Sequence, residues 1–400
     1  MFKSLKRVVY QVPDVSAAKD WYTGILKMDP VFDSPAGVIY MIGENSLSLV
    51  PGPAPLPEDN GRIQIYWEVD DVDGALSSMI EAGASLHTKA GNVLTIRTAK
   101  AVDPFGNVIG LSGRIPGTEN RTIENQPSQT AMAVCFCRAL AAHDERTEIQ
   151  KPDNIAELFL PEDSRRQLSD PALRDAIISR LFTRPLYGYF LGRTAFVDGV
   201  FSQAIREGIP QIVILGAGYD TRACRFREKL GATKVFELDS PATQNHKREI
   251  LLKESVALPP NHVFVPVNFK TDALGDVLER SGFDHSLRSL FVLEGVLYYL
   301  PPEAVDNVLR IVHANSAGNS LLCFDYMVQK LDSVNAAEPF LFWIDGKDLS
   351  TFLLSRGFGI VDHVDAEEMT KRYLMLHDGT AAEKPISRLS CVLAESAKSE

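Results

Sequence analysis

The chain has 400 residues, 45% of them hydrophobic, and a formal net charge of -11. That length and apolar content are enough for two or three globular domains, and an acidic balance without a basic stripe argues against nucleic acid as a partner. No stretch of about 18 apolar residues is present to cross a bilayer, and the apolar run in MFKSLKRVVYQVPD is too short for a signal peptide. The five cysteines, Cys135, Cys137, Cys224, Cys323 and Cys391, lack zinc-ligand spacing and read as free thiols of a reducing compartment. A cytoplasmic protein with no membrane partner is expected.

Residues 1–113 contain an internal repeat. KRVVYQVPDVSAAKDWYTGIL, from Lys6 to Leu26, resembles RIQIYWEVDDVDGALSSMIEAG, from Arg62 to Gly83. Each copy reads as an alternating strand, an acidic turn and an amphipathic helix, followed by short strands; the second copy ends in DPFGNVIGL, Asp103 to Leu111. This duplicated β-α-β-β-β pattern is similar to the vicinal oxygen chelate family of glyoxalases, dioxygenases and bleomycin-resistance proteins. The resemblance implies an α+β domain whose enzymes carry His and Glu metal ligands on their strands. Carried over one at a time, those positions fall on Arg7, Gln64 and Gly110, with only Ser48 available near Leu47 to Val50. Arg, Gln and Gly cannot hold a divalent ion as His and Glu do, so a metal-free domain is expected. Its roles would be to bind a small molecule in a cup, shape a substrate entrance, dimerise the chain or serve as structure alone. Trp67, Tyr66 and Tyr40 either line such a cup or fill a core.

Residues 114–130 are polar, with little apolar periodicity, and read as a linker. Residues 131–208 are helical in pattern and form an expected cap. From 209 to 400 the pattern alternates as in a doubly wound α/β domain. Strands are expected at Gln211–Leu215, Lys234–Leu238, Val263–Val267, Leu290–Leu293, Ser320–Phe324, Ile360–Val364 and Leu389–Ala394. Helices are expected at Asp272–Ser281 and Pro302–Ala314.

The run QIVILGAGYDTR, Gln211 to Arg222, passes from a buried parallel strand straight into Gly216-Ala217-Gly218. Glycine there lets the backbone approach a ligand closely. A second strand ends in an acid, Asp239, 23 residues after Gly216. That is where a nucleoside cofactor's ribose hydroxyls are held. A dinucleotide site wants a third glycine where Thr221 stands, and Asp220 just before it is an acid where a pyrophosphate would lie. A cationic cofactor without phosphate, S-adenosyl-L-methionine, fits better. Asp220 and Thr221 either bond its amino group or cap the next helix. Glu237 lies two residues before Asp239 on the same side of the strand and is a candidate to share the ribose.

LGAGYDTR, VFELDSP (Val235 to Pro241), LEGVLYYL (Leu293 to Leu300) and FDY (Phe324 to Tyr326), in this order, resemble the leucine carboxyl methyltransferase family. This is a branch of the class I S-adenosylmethionine-dependent methyltransferases. The likeness runs from about Ala131 to the end of the chain. It implies a Rossmann-like sheet closed by an antiparallel pair, with the helical cap and an insert around Ala337 to Trp343 covering the active site. It further implies that Arg193 contacts the cofactor carboxylate and that Asn268, where the family has an acid, reads adenine while Phe269 packs on it. Glu294 would face the methionine end, and Tyr299 would lie near the acceptor.

The sulfonium methyl is already activated, so the protein's task is alignment for in-line displacement. A carboxylate acceptor is ionised at neutral pH and needs no base. His246, seven residues after Asp239, is the only base the motifs suggest, and a poor one. The combined expectation is an O-methyltransferase acting on a small-molecule carboxylate, as a homodimer. Its rivals are a lyase or isomerase in the first domain, and a resistance protein that sequesters a ligand in the cup.

Overall fold

The computed structural model describes residues 6–53, 65–93, 96–115, 127–146, 148–149, 153–179, 183–269, 271–330 and 339–397. The chain divides into two compact units, Met1–Asn120 and Arg121–Glu400. The linker residues 116–126 lie outside the described residues, as do Gln64 and Ala337.

Unit 1 is built from two copies of one motif. The first comprises β1 (Arg7–Val12), α1 (Val15–Leu26), β2 (Phe32–Ser34), β3 (Gly37–Ile42) and β4 (Asn45–Pro51). The second comprises β5 (Tyr66–Glu68), α2 (Val72–Glu81), β6 (Ser85–Val93), β7 (Ile96–Val102) and β8 (Val108–Arg114). The sheets run β1-β4-β3-β2 and β5-β8-β7-β6, each with its first strand parallel to its last. The repeat in sequence is therefore a repeat in topology. Asp14 and Asp71 cap the two helices, accepting from Ala17 N and from Asp73 N and Gly74 N. Strand alternation follows the pleat: Val8, Tyr10 and Val12 are buried, whereas Arg7, Val9 and Gln11 are exposed. One carboxylate ties the copies together: Asp103 accepts from Tyr22 Oη at 2.7 Å and from Phe105 N and Asn107 N, while Asn107 Nδ2 reaches Gln11 O. Tyr40 is core, its hydroxyl bonded to Lys19 O and to Thr23, and Trp67 packs partly buried on the same core. Tyr66 is 42% exposed.

Unit 2 opens with helices: α3 (Gln129–Ala142), α4 (Glu162–Leu168), α5 (Pro171–Ile177) and the long α6 (Arg184–Arg206). Then come β9 (Gln211–Leu215), α7 (Arg222–Arg225), β10 (Lys234–Asp239), α8 (Pro241–Lys253), β11 (His262–Pro266), α9 (Leu274–Arg280) and β12 (Ser289–Leu293). The chain finishes with α10 (Pro302–Ala314), β13 (Leu321–Met327), α11 (Leu349–Leu354), β14 (Phe358–Val364), α12 (Ala366–Tyr373) and β15 (Leu389–Ser396). Every residue of β9, β12 and β13 is buried, which is why their sequences are continuous apolar runs rather than alternating ones. The sheet order is β11-β10-β9-β12-β13-β15-β14, with β15 antiparallel to both neighbours. The fold is therefore Rossmann-like, and the chain switches direction between β9 and β12. A crevice opens outside the carboxyl ends of strands at such a point. The Gly216 loop and Glu294 follow β9 and β12, on either side of that point.

Candidate functional site

The loop after β9 requires its glycines. Gly216 and Gly218 adopt φ of +68° and +50°, a region unfavourable to side chains. A Cβ at Gly216 would lie 2.6 Å from Val296 Cγ2, and one at Gly218 would lie 2.9 Å from Ala131 Cβ at the start of α3. Asp239, at the end of β10, anchors this loop. Its Oδ2 accepts from Gly218 N and its Oδ1 from Ser240 N, each at 2.6 Å. A carboxylate offers about four acceptor positions, so each oxygen keeps one for a further donor. Burial raises the pKa of Asp239, outweighing the hydrogen bonds from Gly218 and Ser240 and the Lys247 charge that lower it.

Glu237 does not share this role. Its Oε2 takes Lys247 Nζ at 2.5 Å, its Oε1 lies 3.2 Å from His262 Nε2, and the residue is 2% exposed. The strand's two-residue period places it on the side of Asp239, but one turn deeper, under α8, where it is consumed by a lysine. Beyond β11, Asn268 and Phe269 stand just outside the strand end, with Asn268 N bonded to Asp272 Oδ2 and Phe269 packed against the core.

Across the crevice lies one continuous buried ion network. Arg138 pairs with Asp153 at 3.0 Å and Arg225 with Asp198 at 2.7 Å; Asp153 lies 3.7 Å from Arg225. Arg222 binds Asp198 and Glu294, each at 2.7 Å, and also Asp220. Arg193 Nε lies 3.0 Å from Glu294 Oε1, and its Nη1 lies 2.8 Å from Asp325 Oδ2. Four arginines thus face five carboxylates, leaving one negative charge in excess. Asp220, not Thr221, caps α7: its Oδ1 accepts from Arg222 N, the first N–H of that helix. Thr221 Oγ1 instead donates to Asp153 Oδ2. Burial pushes the Asp220 carboxyl up, but Arg222, Lys247 and Arg138 outweigh it and hold the group at about 2. A depressed acid stabilises the fold above its unfolded value of 3.8, and that stability is lost as pH falls through about 2. Urea unfolding between these two pH values is expected to show a shallower acid loss in Asp220→Asn than in the parent; identical slopes would refute the pairing.

Three buried atoms of this network, Arg193 Nε, Glu294 Oε1 and Arg222 Nη2, make no hydrogen bond. The first two face each other as an ion pair at 3.0 Å without hydrogen-bond geometry. Buried polar atoms are ordinarily hydrogen-bonded. The methionyl end of S-adenosyl-L-methionine carries a carboxylate, complementary to Arg193, and an ammonium, complementary to Glu294. The whole molecule carries one net positive charge, opposite in sign to the excess in the network. The residues present fit this group.

Tyr299 ends a short 3-10 turn, Leu297–Tyr299, and its ring lies 5.5 Å from Phe340 and 4.8 Å from Tyr298. Leu341 N and Phe342 N both donate to Tyr298 O, so the segment from Phe340 is pinned over this turn. His246 Nδ1 and Tyr219 Oη are hydrogen-bonded at 2.7 Å, and burial lowers the pKa of His246. It sits on α8, beside the loop after β9, and is engaged there. Sequence reasoning missed Arg138, Asp198, Arg222 and Asp325. Arg222 and Asp325 stand inside the quoted motifs, and an arginine within the apolar run CFCRALAA was itself a signal of a buried partner.

In the first unit, Arg7 is exposed. Gly110 is closed off by Ile65 O, 2.6 Å from where a Cβ would stand, and Ser48 is a buried hydroxyl. Among the described residues no group of three or more His, Cys, Asp or Glu is placed to hold a metal ion.

Comparison with known proteins agrees with this division. The leucine carboxyl methyltransferase family profile matches residues 131–313, and the glyoxalase/bleomycin resistance protein/dioxygenase superfamily profile matches residues 4–111. A protein of Mycobacteroides abscessus, provisionally named an S-adenosyl-L-methionine-dependent methyltransferase, is 30% identical over 249 residues, covering 59% of this chain and 79% of its own. Another with that provisional name, from Mycobacterium sp. strain JLS, is 38% identical over 141 residues, 35% of this chain and 45% of its own length. The chain belongs to the leucine carboxyl methyltransferase family of S-adenosyl-L-methionine-dependent methyltransferases, with a glyoxalase-superfamily domain preceding it in sequence. It spans less than half of the Mycobacterium sp. relative. Among solved structures, magnesium protoporphyrin IX methyltransferase from Synechocystis with bound S-adenosylhomocysteine aligns over 52% of this chain and 85% of its own, at 12% identity and a TM-score of 0.35. No helix among the described residues is long and apolar enough to cross a membrane.

Proposed function

We propose that this protein is an S-adenosyl-L-methionine-dependent O-methyltransferase whose acceptor is a small-molecule carboxylate. The observation that carries the cofactor reading is the Arg193–Glu294 ion pair, whose facing atoms Nε and Oε1 make no hydrogen bond, inside a network with one excess negative charge. The cofactor supplies an electrophilic methyl group. Asp239 holds the ribose with the two acceptor positions that Gly218 N and Ser240 N leave free. Asn268 and Phe269 take the adenine. Arg193 and Glu294 fix the amino-acid end, and Tyr299 faces the acceptor. Alignment of this kind contributes about 7–11 kcal/mol to a displacement.

The carboxylate acceptor is supported by what the described side chains near Glu294 offer. Arg193, Arg222 and Asp325 are ion-paired, and burial raises the pKa of Tyr298 well above its ordinary value. All of these are engaged, and His246 is hydrogen-bonded to Tyr219. An ionised acid needs no base, whereas an alcohol does. A methyl-transfer screen across carboxylic acids and phenols, read by mass, is expected to give esters. Turnover confined to phenols would overturn the acceptor assignment.

The first unit is assigned a metal-free part in binding the acceptor, shaping its entrance or pairing two copies of the chain, supported by Arg7, Ser48 and Gly110 at the family's ligand positions.

A further inference from the structure

We propose that Asp325 is the positioning residue of the cofactor's amino-acid end, an inference that rests on the cofactor reading above. Asp325 lies in β13, one strand beyond β12 and Glu294, and is 1% exposed. Its carboxylate gathers four donors from three separate elements. Oδ1 takes Gly295 N at 2.6 Å. Oδ2 takes Arg193 Nη1 at 2.8 Å and Tyr189 Oη at 2.7 Å, both from α6, and Tyr298 Oη at 3.4 Å. Oδ2 is filled, and although Oδ1 keeps a second acceptor position, a residue 1% exposed is out of a ligand's reach. Asp325 therefore acts through others.

The groups it holds are the neighbours of those that meet the cofactor. Gly295 follows Glu294 and turns at φ +72°; a Cβ there would stand 3.4 Å from Arg193 Nη1. With Nη1 tied to Asp325, the Arg193 fork is fixed and its Nε is held 3.0 Å from Glu294 Oε1. With Gly295 N tied to the other oxygen, the Glu294 turn cannot move independently of Arg193. A single carboxylate thus sets the spacing between the donor meant for the cofactor's carboxylate and the acceptor meant for its ammonium.

Asparagine cannot reproduce this. Its amide keeps one acceptor oxygen and places a donor on the other side. If the oxygen faces Arg193 and Tyr189, the NH₂ meets Gly295 N–H. If it faces Gly295, the NH₂ meets Arg193. Either way one half of the clamp is released.

The test compares two ligands on the full chain by isothermal titration. S-adenosylhomocysteine carries the amino-acid end; 5′-methylthioadenosine shares the adenosine and the sulfur and lacks it. In Asp325→Asn, S-adenosylhomocysteine is expected to weaken by about tenfold or more, the scale of a lost charged hydrogen bond, while 5′-methylthioadenosine stays within about twofold. Equal weakening of both ligands would mean a general structural role and overturn the proposal, as would no change in either. If Asp325→Asn does not fold, Tyr189→Phe removes one of the four donors at almost constant volume. It is expected to weaken S-adenosylhomocysteine selectively by about threefold, and an unaltered ratio between the ligands would overturn the proposal. A parent protein that binds neither ligand would instead refute the cofactor reading itself.

Discussion

Replacing Asp239 with alanine is expected to weaken S-adenosylhomocysteine binding by about 1.5–3 kcal/mol, roughly ten- to a hundredfold, as for loss of a charged hydrogen-bond partner. Both oxygens of Asp239 already accept one backbone N–H, from Gly218 and Ser240. The substitution therefore removes the two remaining acceptors and also the anchor of the glycine loop. Asp239→Asn separates these effects: it keeps one acceptor oxygen, so a smaller loss is expected. The raised pKa of Asp239 adds a pH signature. The ionised form is the one that accepts two hydroxyls, so affinity is expected to fall, with proton uptake, as pH drops through that raised value. Because ionisation is disfavoured in the folded state, the same group contributes stability below its unfolded pKa and loses it as pH rises through the folded one. Unchanged affinity in Asp239→Ala by calorimetry would remove this residue from the ribose role.

Arg193→Met is expected to cost about 3–5 kcal/mol of stability, the cost of breaking a buried ion pair from one side. Arg193 is 1% exposed and lies between Glu294 and Asp325; its removal leaves Glu294 to Arg222 and leaves Asp325 buried without its cation. The aliphatic stem of methionine fills most of the space but supplies no charge. Following Arg193→Met with Asp325→Asn removes the stranded charge while keeping an acceptor oxygen for Tyr189 or Gly295 N, and part of the lost stability is expected to return. Urea unfolding of the three proteins measures both steps. A loss below about 1 kcal/mol in the single variant would place Arg193 in an exposed rather than a buried pair.

The glycine loop and Asp239 were legible in the sequence because their requirements are local. A chain that leaves its strand at positive φ needs glycine at once, and the acid that anchors this loop through Gly218 N stands at the end of the next strand. The duplicated first unit was legible for the same reason, since a repeat in the chain gave a repeat in the sheets. The ion network was not legible as a network. Arg138 bonds Tyr219 O 81 residues away, and Arg225 meets Asp198 27 residues back. No periodicity encodes such pairings; only the sheet order brings α3, α6 and the loop after β9 to one edge. Glu237 shows the limit of pattern reasoning. Period two set its side of the strand but not its depth, and depth gave it to Lys247.

A crystal structure of the protein with S-adenosylhomocysteine tests the central claim most directly. The account predicts density in the crevice between the loop after β9 and Glu294, ribose hydroxyls on Asp239, a carboxylate at Arg193 Nε and an ammonium at Glu294 Oε1. A crevice empty at saturating ligand, or a ligand bound with its amino-acid end away from Arg193 and Glu294, would contradict it.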